Sequence, residues 1–388
     1  MGLARRCATA GGRSGQVVYR YKRLIVPSMV RMLLIGALLI GVLLGPAGAA
    51  LASSITAGIA CPTSTACAVV GFGTASSQGA VVPITISAAG MAVGTSQLVD
   101  GIGGLMGITC VTDTRCVAVG SAPYGAGGTA VPFTLGNDGI SLGIAQTGSA
   151  GSSFASVACA TNASCLAVGT VGNPNEGAVA PLNIGTDGSI ALVPVQAVSN
   201  TDGLKGVTCP SSSLCLAVGA VAGPRLEGEV TPITMNGDGS ISPGNGQLTP
   251  NMSLANAVTC LTSTTCVVAG LNGFGVATTV TVESNGSLAV DPDNYVANTA
   301  ALTSISCPTI TTCMVVGIAG ATEAGIVAPI SVMLTTPTPS PTRRPASQVA
   351  PRAPAPRQPA AQVPPRTPTT RQPAAQLAPV AIATQGPV

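Results

Sequence analysis

The feature that most constrains this chain is a pair of cysteines with five residues between them, which occurs six times. The first cysteines of successive pairs are 49, 49, 50, 51 and 47 residues apart. Internal repeats of this length decide a fold before any local pattern does, because each repeat must bury its apolar face against its neighbours. The six pairs are Cys61/Cys67, Cys110/Cys116, Cys159/Cys165, Cys209/Cys215, Cys260/Cys266 and Cys307/Cys313.

Each repeat predicts four short strands. A branched apolar residue and the first cysteine share one strand face, and a short apolar run closed by Gly follows the second cysteine, as at 166–169. A third run, such as 131–135, usually contains Pro, which lacks an N–H and should therefore stand at a bulge or a strand start. An Asp-Gly or Asn-Gly step, a strong hairpin signal, then leads into a fourth run such as 189–195.

Four short strands per repeat of about 49 residues correspond to one blade of a β-propeller. The sequence therefore predicts an all-β, six-bladed propeller over residues 53–334. Repeat six has no Asp-Gly turn, so its blade has either three strands or a fourth supplied by residues 335–342.

The first 52 residues predict a hydrophobic targeting helix. Residues 1–31 carry seven basic residues and no acid, residues 32–44 are apolar, and Ala50-Leu51-Ala52 fits a cleavage site. This pattern is typical of a signal peptide, which makes the protein secreted or held in the cell envelope. The alternative is an uncleaved anchor over residues 32–52, giving a single-pass membrane protein with a cytoplasmic N-terminus.

Export favours disulfides within the repeats. Cys7 precedes the apolar segment, and the remaining twelve cysteines form six pairs in an oxidising compartment. Each pair flanks a five-residue loop, so its members face each other across antiparallel strands, and each bridge should contribute about 2 kcal/mol. Free buried thiols and a metal site are the alternatives. The metal site is weak because the chain has no His and the spacing is not Cys-x2-Cys.

Residues 335–388 differ in composition from the repeats. They are rich in Pro, Ala, Thr and Gln, with six Arg and no acid, and a six-residue unit at 357–362 recurs at 371–376. Such a segment cannot form a core, so we expect a disordered, extended tail that acts as a spacer or as a recognition peptide.

The repeat unit resembles secreted bacterial β-propellers with cysteine-bearing blades, which are common in actinobacteria and related to sialidase-type and photosystem-assembly-factor-type repeats. The resemblance covers residues 55–334 and implies the propeller fold. It does not imply sialidase activity. The turn lacks the Trp of the sialidase motif, and the arginine triad is missing, because Arg115 and Arg225 are the only arginines in the repeats.

The composition excludes several chemistries. Without His there is no Ser-His-Asp triad and no imidazole metal ligand. Nucleic-acid binding is disfavoured because residues 53–334 hold three basic residues against 13 acidic ones. We predict no metal and no cofactor. The Asp-Gly turns lack the spaced oxygen ligands of a calcium loop, although the acidic stretch at 291–294 is a somewhat better candidate.

Two hypotheses about function remain. The first is a non-catalytic, monomeric binding platform for an unknown extracellular or envelope partner, with variable loops on one face of the ring. The second is a carboxylate-dependent hydrolase or lyase acting on an extracellular polymer, using Glu176, Glu227, Glu229 or Glu323. The candidate binding residues, most of them acidic, are Glu176, Asp202, Arg225, Glu227, Glu229, Asp291, Asp293 and Glu323.

Overall fold

A computed structural model describes residues 54–73, 78–136, 139–172, 176–223, 225–320 and 324–332. The predicted targeting segment (1–52) and the predicted tail (335–388) lie outside these residues. The described chain is built from antiparallel strands, with one short 3₁₀ turn at Pro123–Gly125.

Blade one shows the pattern that the other blades repeat. Its first three strands are β1 (Ser54–Ala60), β2 (Ala66–Gly73) and β3 (Gly79–Ser87), hydrogen-bonded in that order. The fourth strand is in two pieces, β4 (Gly90–Val93) and β5 (Gln97–Val99), and both pair with β3. The blade is thus a four-stranded sheet whose last strand is interrupted.

Blades two to five keep this order. Blade two contains β6 (Gly104–Cys110), β7 (Arg115–Ser121), β8 (Gly128–Gly136), β9 (Gly139–Leu142) and β10 (Gln146–Thr147). Blade three contains β11 (Ser153–Thr161), β12 (Ser164–Val171), β13 (Glu176–Ile184), β14 (Ile190–Leu192) and β15 (Gln196–Val198). Blade four contains β16 (Thr201–Ser211), β17 (Leu214–Val221), β18 (Glu227–Met235), β19 (Ile241–Pro243) and β20 (Gln247–Leu248).

Blade five contains β21 (Leu254–Cys260), β22 (Thr265–Leu271), β23 (Gly275–Val282), β24 (Leu288–Val290) and β25 (Asn294–Tyr295). Blade six has three strands among the described residues, β26 (Thr299–Ser306), β27 (Thr312–Ala319) and β28 (Gly325–Ser331). The chain is a six-bladed β-propeller, as the repeats predict. The first strands of successive blades lie beside one another around the axis, and the interrupted fourth strands form the outer rim.

Apolar clusters join the blades in sequence. At the junction of blades two and three, Val117 and Val119 pack with Cys165 and Leu182, all less than 2% exposed. Successive residues of a second strand point to opposite blade faces, so an uninterrupted apolar run fills two junctions at once. Five clusters each combine two consecutive blades. The sixth cluster, which includes Cys67 and its neighbours, contains residues of blade one alone.

All six predicted disulfides are formed within blades. The bridges join Cys61 to Cys67, Cys110 to Cys116, Cys159 to Cys165, Cys209 to Cys215, Cys260 to Cys266 and Cys307 to Cys313. Their Cα atoms are 3.7–3.9 Å apart, closer than the ordinary antiparallel spacing that we expected. Each bridge closes the turn between the first and second strands.

The proline of the third strand lies in mid-strand, and the fourth strand accommodates it. Pro83 pairs with Ala68 without any shift of register, so it is neither at a bulge nor at a strand start. Its carbonyl accepts a hydrogen bond from Gly94 N (2.8–2.9 Å here and at Pro132), and Gly94 lies in the gap between β4 and β5. The missing N–H therefore faces the outer strand, at the point where that strand is interrupted.

Every first strand carries a β-bulge at the same height. The extra residue stands where the register with the second strand shifts, and the glycine that closes the second strand approaches the bulged backbone closely. A Cβ atom on Gly169, for example, would collide with the carbonyl of Ser153. The six bulge residues are Ala57, Met106, Ala155, Lys205, Asn256 and Thr303.

Candidate functional site

The antiparallel order of each blade gives the ring two faces. We call the loop face the side that carries the connections between second and third strands and the connections between blades. The opposite side carries the disulfide turns and the Asp-Gly turns. In the Asp-Gly turn of blade three, Asp187 Oδ1 accepts hydrogen bonds from Ser189 Oγ (2.7 Å) and N (2.9 Å), and these bonds hold the pKa of Asp187 below its usual range. The carboxylate thus serves the turn.

Four predicted site residues lie on the loop face of blades three and four, and all four are exposed. Glu176 is the first residue of β13 and Glu227 is the first residue of β18, so they occupy equivalent positions in neighbouring blades. Asp202 is the second residue of β16, and Arg225 lies in the connection that precedes β18.

A buried hydroxyl group joins the residue after Glu176 to the residue before Asp202. Gly177 N donates to Thr201 Oγ1 (2.6 Å), and Thr201 Oγ1 donates in turn to Val198 O (2.8 Å). Glu176 precedes Gly177 and Asp202 follows Thr201, so the two acidic residues are the chain neighbours of the bonded pair. Because Thr201 has no exposed surface, the connection between blades three and four is fixed to the start of β13.

Glu227 joins the same group through strand register. Thr201 pairs with Val221 across β16 and β17, and Val221 pairs with Glu227 across β17 and β18. These three residues therefore stand in one row at the top of blade four. We call Glu176, Asp202 and Glu227 the acidic group.

Three other predicted residues do not lie on this face. Glu229 is the third residue of β18 and only 8% exposed, although the sequence places it on a variable loop over 221–229. Asp291 and Asp293 lie between β24 and β25, because Asn294 and Tyr295 continue the outer strand instead of opening a loop. Asp291 and Asp293 belong to the outer rim, and Glu229 lies on the third strand, paired with Leu248 of the rim. Glu323 lies outside the described residues.

The buried position of Glu229 bears on the hydrolase hypothesis. Two catalytic carboxylates must reach a substrate from one open cleft. Glu227 is exposed, but burial encloses the carboxyl group of Glu229 and raises its pKa, with the Thr231 hydroxyl opposing. An extracellular polymer therefore cannot contact both groups in this conformation.

Lys205 is a charged residue whose position the sequence does not reveal. It is the bulge residue of β16, half-buried between the buried Leu204 and Gly206 on the innermost strand. Desolvation lowers the pKa of Lys205, and the charge of Asp202 partly restores it. Lys205 thus lies below the acidic group and toward the axis of the ring.

Aromatic side chains add to the loop face, a feature that sequence reasoning missed. Tyr124 is fully exposed with a positive φ of 57°, and it borders a cavity of about 680 Å³ between blades one and two. On blade five, Phe274 and Tyr295 are exposed and meet edge to face, with centroids 6.1 Å apart. The signal was available, since the repeats contain few aromatics and three of them fall near predicted loops.

The described residues hold no group of three or more His, Cys, Asp or Glu arranged to bind a metal ion. Within the same ranges, no helix has the length and hydropathy needed to span a bilayer.

Comparisons with known proteins give information on the fold of this chain and not on its function. No protein-family model matches this chain, and neither does any curated protein. A protein from Lactobacillus plantarum is similar in structure, with a TM-score of 0.52 at 10% identity over 72% of this chain and 84% of that one. The fold is what they share. Sqt1 of Chaetomium thermophilum, solved with the N-terminus of a ribosomal protein, gives a TM-score of 0.46 at 11% identity over 67% of this chain and 69% of Sqt1.

Proposed function

We propose that this protein is a non-catalytic, secreted or cell-envelope propeller that binds a basic partner through the loop face of blades three and four. The observation that carries the proposal is the acidic group, in which three exposed acidic residues stand at strand starts on the loop face of two neighbouring blades, with one exposed arginine in the connection before β18. Carboxylates held together on a rigid surface attract cationic groups from a distance and accelerate association.

The scaffold supports this role. The acidic group stands on strand ends that are fixed by buried hydrogen bonds, so little order needs to be gained when a partner binds. Tyr124 lies on the same face, and its loop contacts the next blade through a hydrogen bond from Gly151 N to Gly125 O (3.0 Å). An exposed aromatic ring provides a surface on which a Lys or Arg side chain can stack.

The proposed location agrees with the cysteines. Six disulfides indicate an oxidising compartment. We expect the exported protein to begin near Ser53, as N-terminal sequencing of extracellular material would show. Recovery of the intact chain from membranes would instead support the uncleaved anchor.

Charge reversal tests the binding role. In a variant with Glu176→Lys, Asp202→Lys and Glu227→Lys, we expect the association rate constant for an immobilised oligolysine peptide to fall by about 10-fold or more at low salt. The matched control is Glu283→Lys, which changes an exposed carboxylate on the opposite face of blade five. If the variant, the control and the unmodified protein bind equally, the acidic residues serve solubility and not binding. Binding that does not change with salt would lead to the same conclusion.

A further inference from the structure

Buried oxygen atoms without hydrogen bonds of ordinary length and angle are concentrated at two places beside the outer rim. Six such side-chain atoms occur among the described residues, and four of them belong to Glu229, Thr231 and Asp293. Buried polar atoms are usually paired, so a concentration of unpaired acceptors requires an explanation. Both places lie at interruptions of the fourth strand.

The blade-four site is built on one strand. Glu229 and Thr231 are alternate residues of β18, so their side chains share a face of the sheet, and both residues are buried (8% and 1% exposed). Glu229 Oε2 and Thr231 Oγ1 make no hydrogen bond of ordinary length and angle, although the Thr231 hydroxyl interacts with the carboxyl group strongly enough to lower its pKa. The other carboxylate oxygen of Glu229 lies against Gly246, in the gap between β19 and β20, where a Cβ atom would collide with it.

The blade-five site contains the same groups. Both carboxylate oxygens of Asp293 are buried and make no hydrogen bond of ordinary length and angle. Burial raises the pKa of Asp293 to about 6, and the hydroxyl of the adjacent Thr278 opposes this rise. Thr278 is buried, and its Oγ1 donates to Asp291 O (2.6 Å). This site thus combines a carboxylate, a threonine oxygen and a main-chain carbonyl.

The two sites are equivalent in the repeat. The interruption begins where Gly244 N donates to Pro232 O (2.7 Å) in blade four, and where Asp291 N donates to Thr279 O (2.9 Å) in blade five. Two residues further on stand Gly246 and Asp293, respectively. In blade four the carboxylate at this position comes from Glu229 on the third strand. In blade five it comes from Asp293, a residue of the interruption itself.

Threonine accompanies the carboxylate in both blades. Thr231 directly precedes Pro232, and Thr278 directly precedes Thr279. Pro232 and Thr279 are the third-strand residues whose carbonyls accept a hydrogen bond from the interruption. The position of the two threonines is held in blades one to three by Val82, Val131 and Ala180, and the interruptions there contain no acid. The coincidence of hydroxyl and carboxylate in two of the blades is therefore a property of these sites and not of the repeat.

We propose that the interruptions of the fourth strand in blades four and five each bind a calcium ion, through Glu229 and Thr231 in one and through Asp293 and Thr278 in the other. An ionised carboxylate buried without a partner is costly, and a cation offsets that cost. The available atoms are all oxygens, the ligands that Ca²⁺ takes, and waters and main-chain carbonyls complete such sites.

Calorimetric titration of the folded propeller with calcium chloride, after treatment with chelator, tests the inference. We expect two ions per chain with dissociation constants of about 10⁻⁴–10⁻³ M, as in extracellular calcium modules. Glu229→Gln and Asp293→Asn should each reduce the stoichiometry from two to one, and the double variant should bind none. Glu227→Gln and Glu283→Gln, two exposed neighbours in the same blades, should leave it at two.

A thermal scan supplies the second readout. Calcium should raise the melting temperature of the unmodified protein, and the shift should shrink in each single variant. If the unmodified protein binds no calcium, or binds it equally in the double variant, the inference is wrong. A melting temperature that rises in Glu229→Gln both with and without calcium would identify the carboxyl groups as protonated core residues. Because oligolysine binding uses different residues, the two proposals fail independently.

Discussion

The acidic group and the outer rim contain the same kind of side chain in opposite environments. Glu227 and Glu229 are two residues apart on one strand, yet the first is exposed and the second is 8% exposed. On the loop face a carboxylate keeps its water, costs little and contributes a long-range field. On the rim it loses water, so its charge must be cancelled by a proton or a cation. Composition shows how many acids a repeat protein has, but burial decides what each of them does.

Charge reversal at these two positions should separate the environments most clearly. In chelator, we expect Glu229→Lys to lower the free energy of unfolding by at least about 3 kcal/mol, because a longer, charged side chain would be buried against Gly246. Glu227→Lys should change it by less than about 0.5 kcal/mol. Urea unfolding measures both. Similar values for the two variants would remove the basis of the comparison.

The hydroxyl beneath the acidic group is the next test. Thr201→Val removes the acceptor of the Gly177 N–H and the donor to Val198 O, so we expect a loss of about 2 kcal/mol. Amide exchange at Gly177 should accelerate as well. Thr303→Val, at an exposed threonine with one bond of 3.2 Å, is the control and should cost much less. An unchanged exchange rate at Gly177 would mean that this bond does not fix the loop face.

The rim also predicts a dependence on pH in calcium-free buffer. The folded-state pKa of Asp293 is raised to about 6 from an ordinary 3.8, so its contribution to stability is fully present below about pH 4 and is lost as the pH rises through 6. Allowing for partial exposure, we expect a loss of about 1 kcal/mol between pH 4 and 7. Asp293→Asn should flatten this part of the profile, whereas Glu283→Gln should not.

The smallest effect is expected on the loop face itself. Replacing Glu176 and Glu227 by Gln should leave the free energy of unfolding within about 0.5 kcal/mol of its original value, because both side chains are exposed. Their loss should still be visible as weaker oligolysine binding at low salt. A large loss of stability would show that these carboxylates have structural partners of their own.

Much of the fold could be predicted because its signals are local. The cysteine spacing, the apolar runs closed by Gly and the Asp-Gly turns each depend on a few adjacent residues, and six copies reinforce one another. The interrupted outer strand was not predicted, because it depends on pairing with the third strand: in blades one to four it lies opposite a proline, and in blade five it lies opposite Thr279. The sequence shows that Pro83 has no N–H, but only the strand pairing shows which neighbouring strand loses the hydrogen bond.

The candidate site could be predicted only in part, because the position of a side chain depends on where each strand begins and ends. Glu176, Asp202 and Glu227 lie on the loop face, where the sequence places them, because each stands at the start of a strand directly after a connection. Glu229 and Asp293 were assigned to loops that are in fact strand or interruption. In a strand, one residue of register moves a side chain to the other face, so an error in a strand boundary changes a prediction from exposed to buried.

The sequence by itself determined the number of blades, the pairing of twelve cysteines and the excess of acids in the repeats, because repetition and covalent spacing need no knowledge of distant contacts. Tertiary structure alone decided which carboxylates share a face of the ring, which are buried and where Lys205 lies. These depend on the register between strands and on the packing of one blade on the next, and both are fixed only when the apolar faces of neighbouring blades exclude water together.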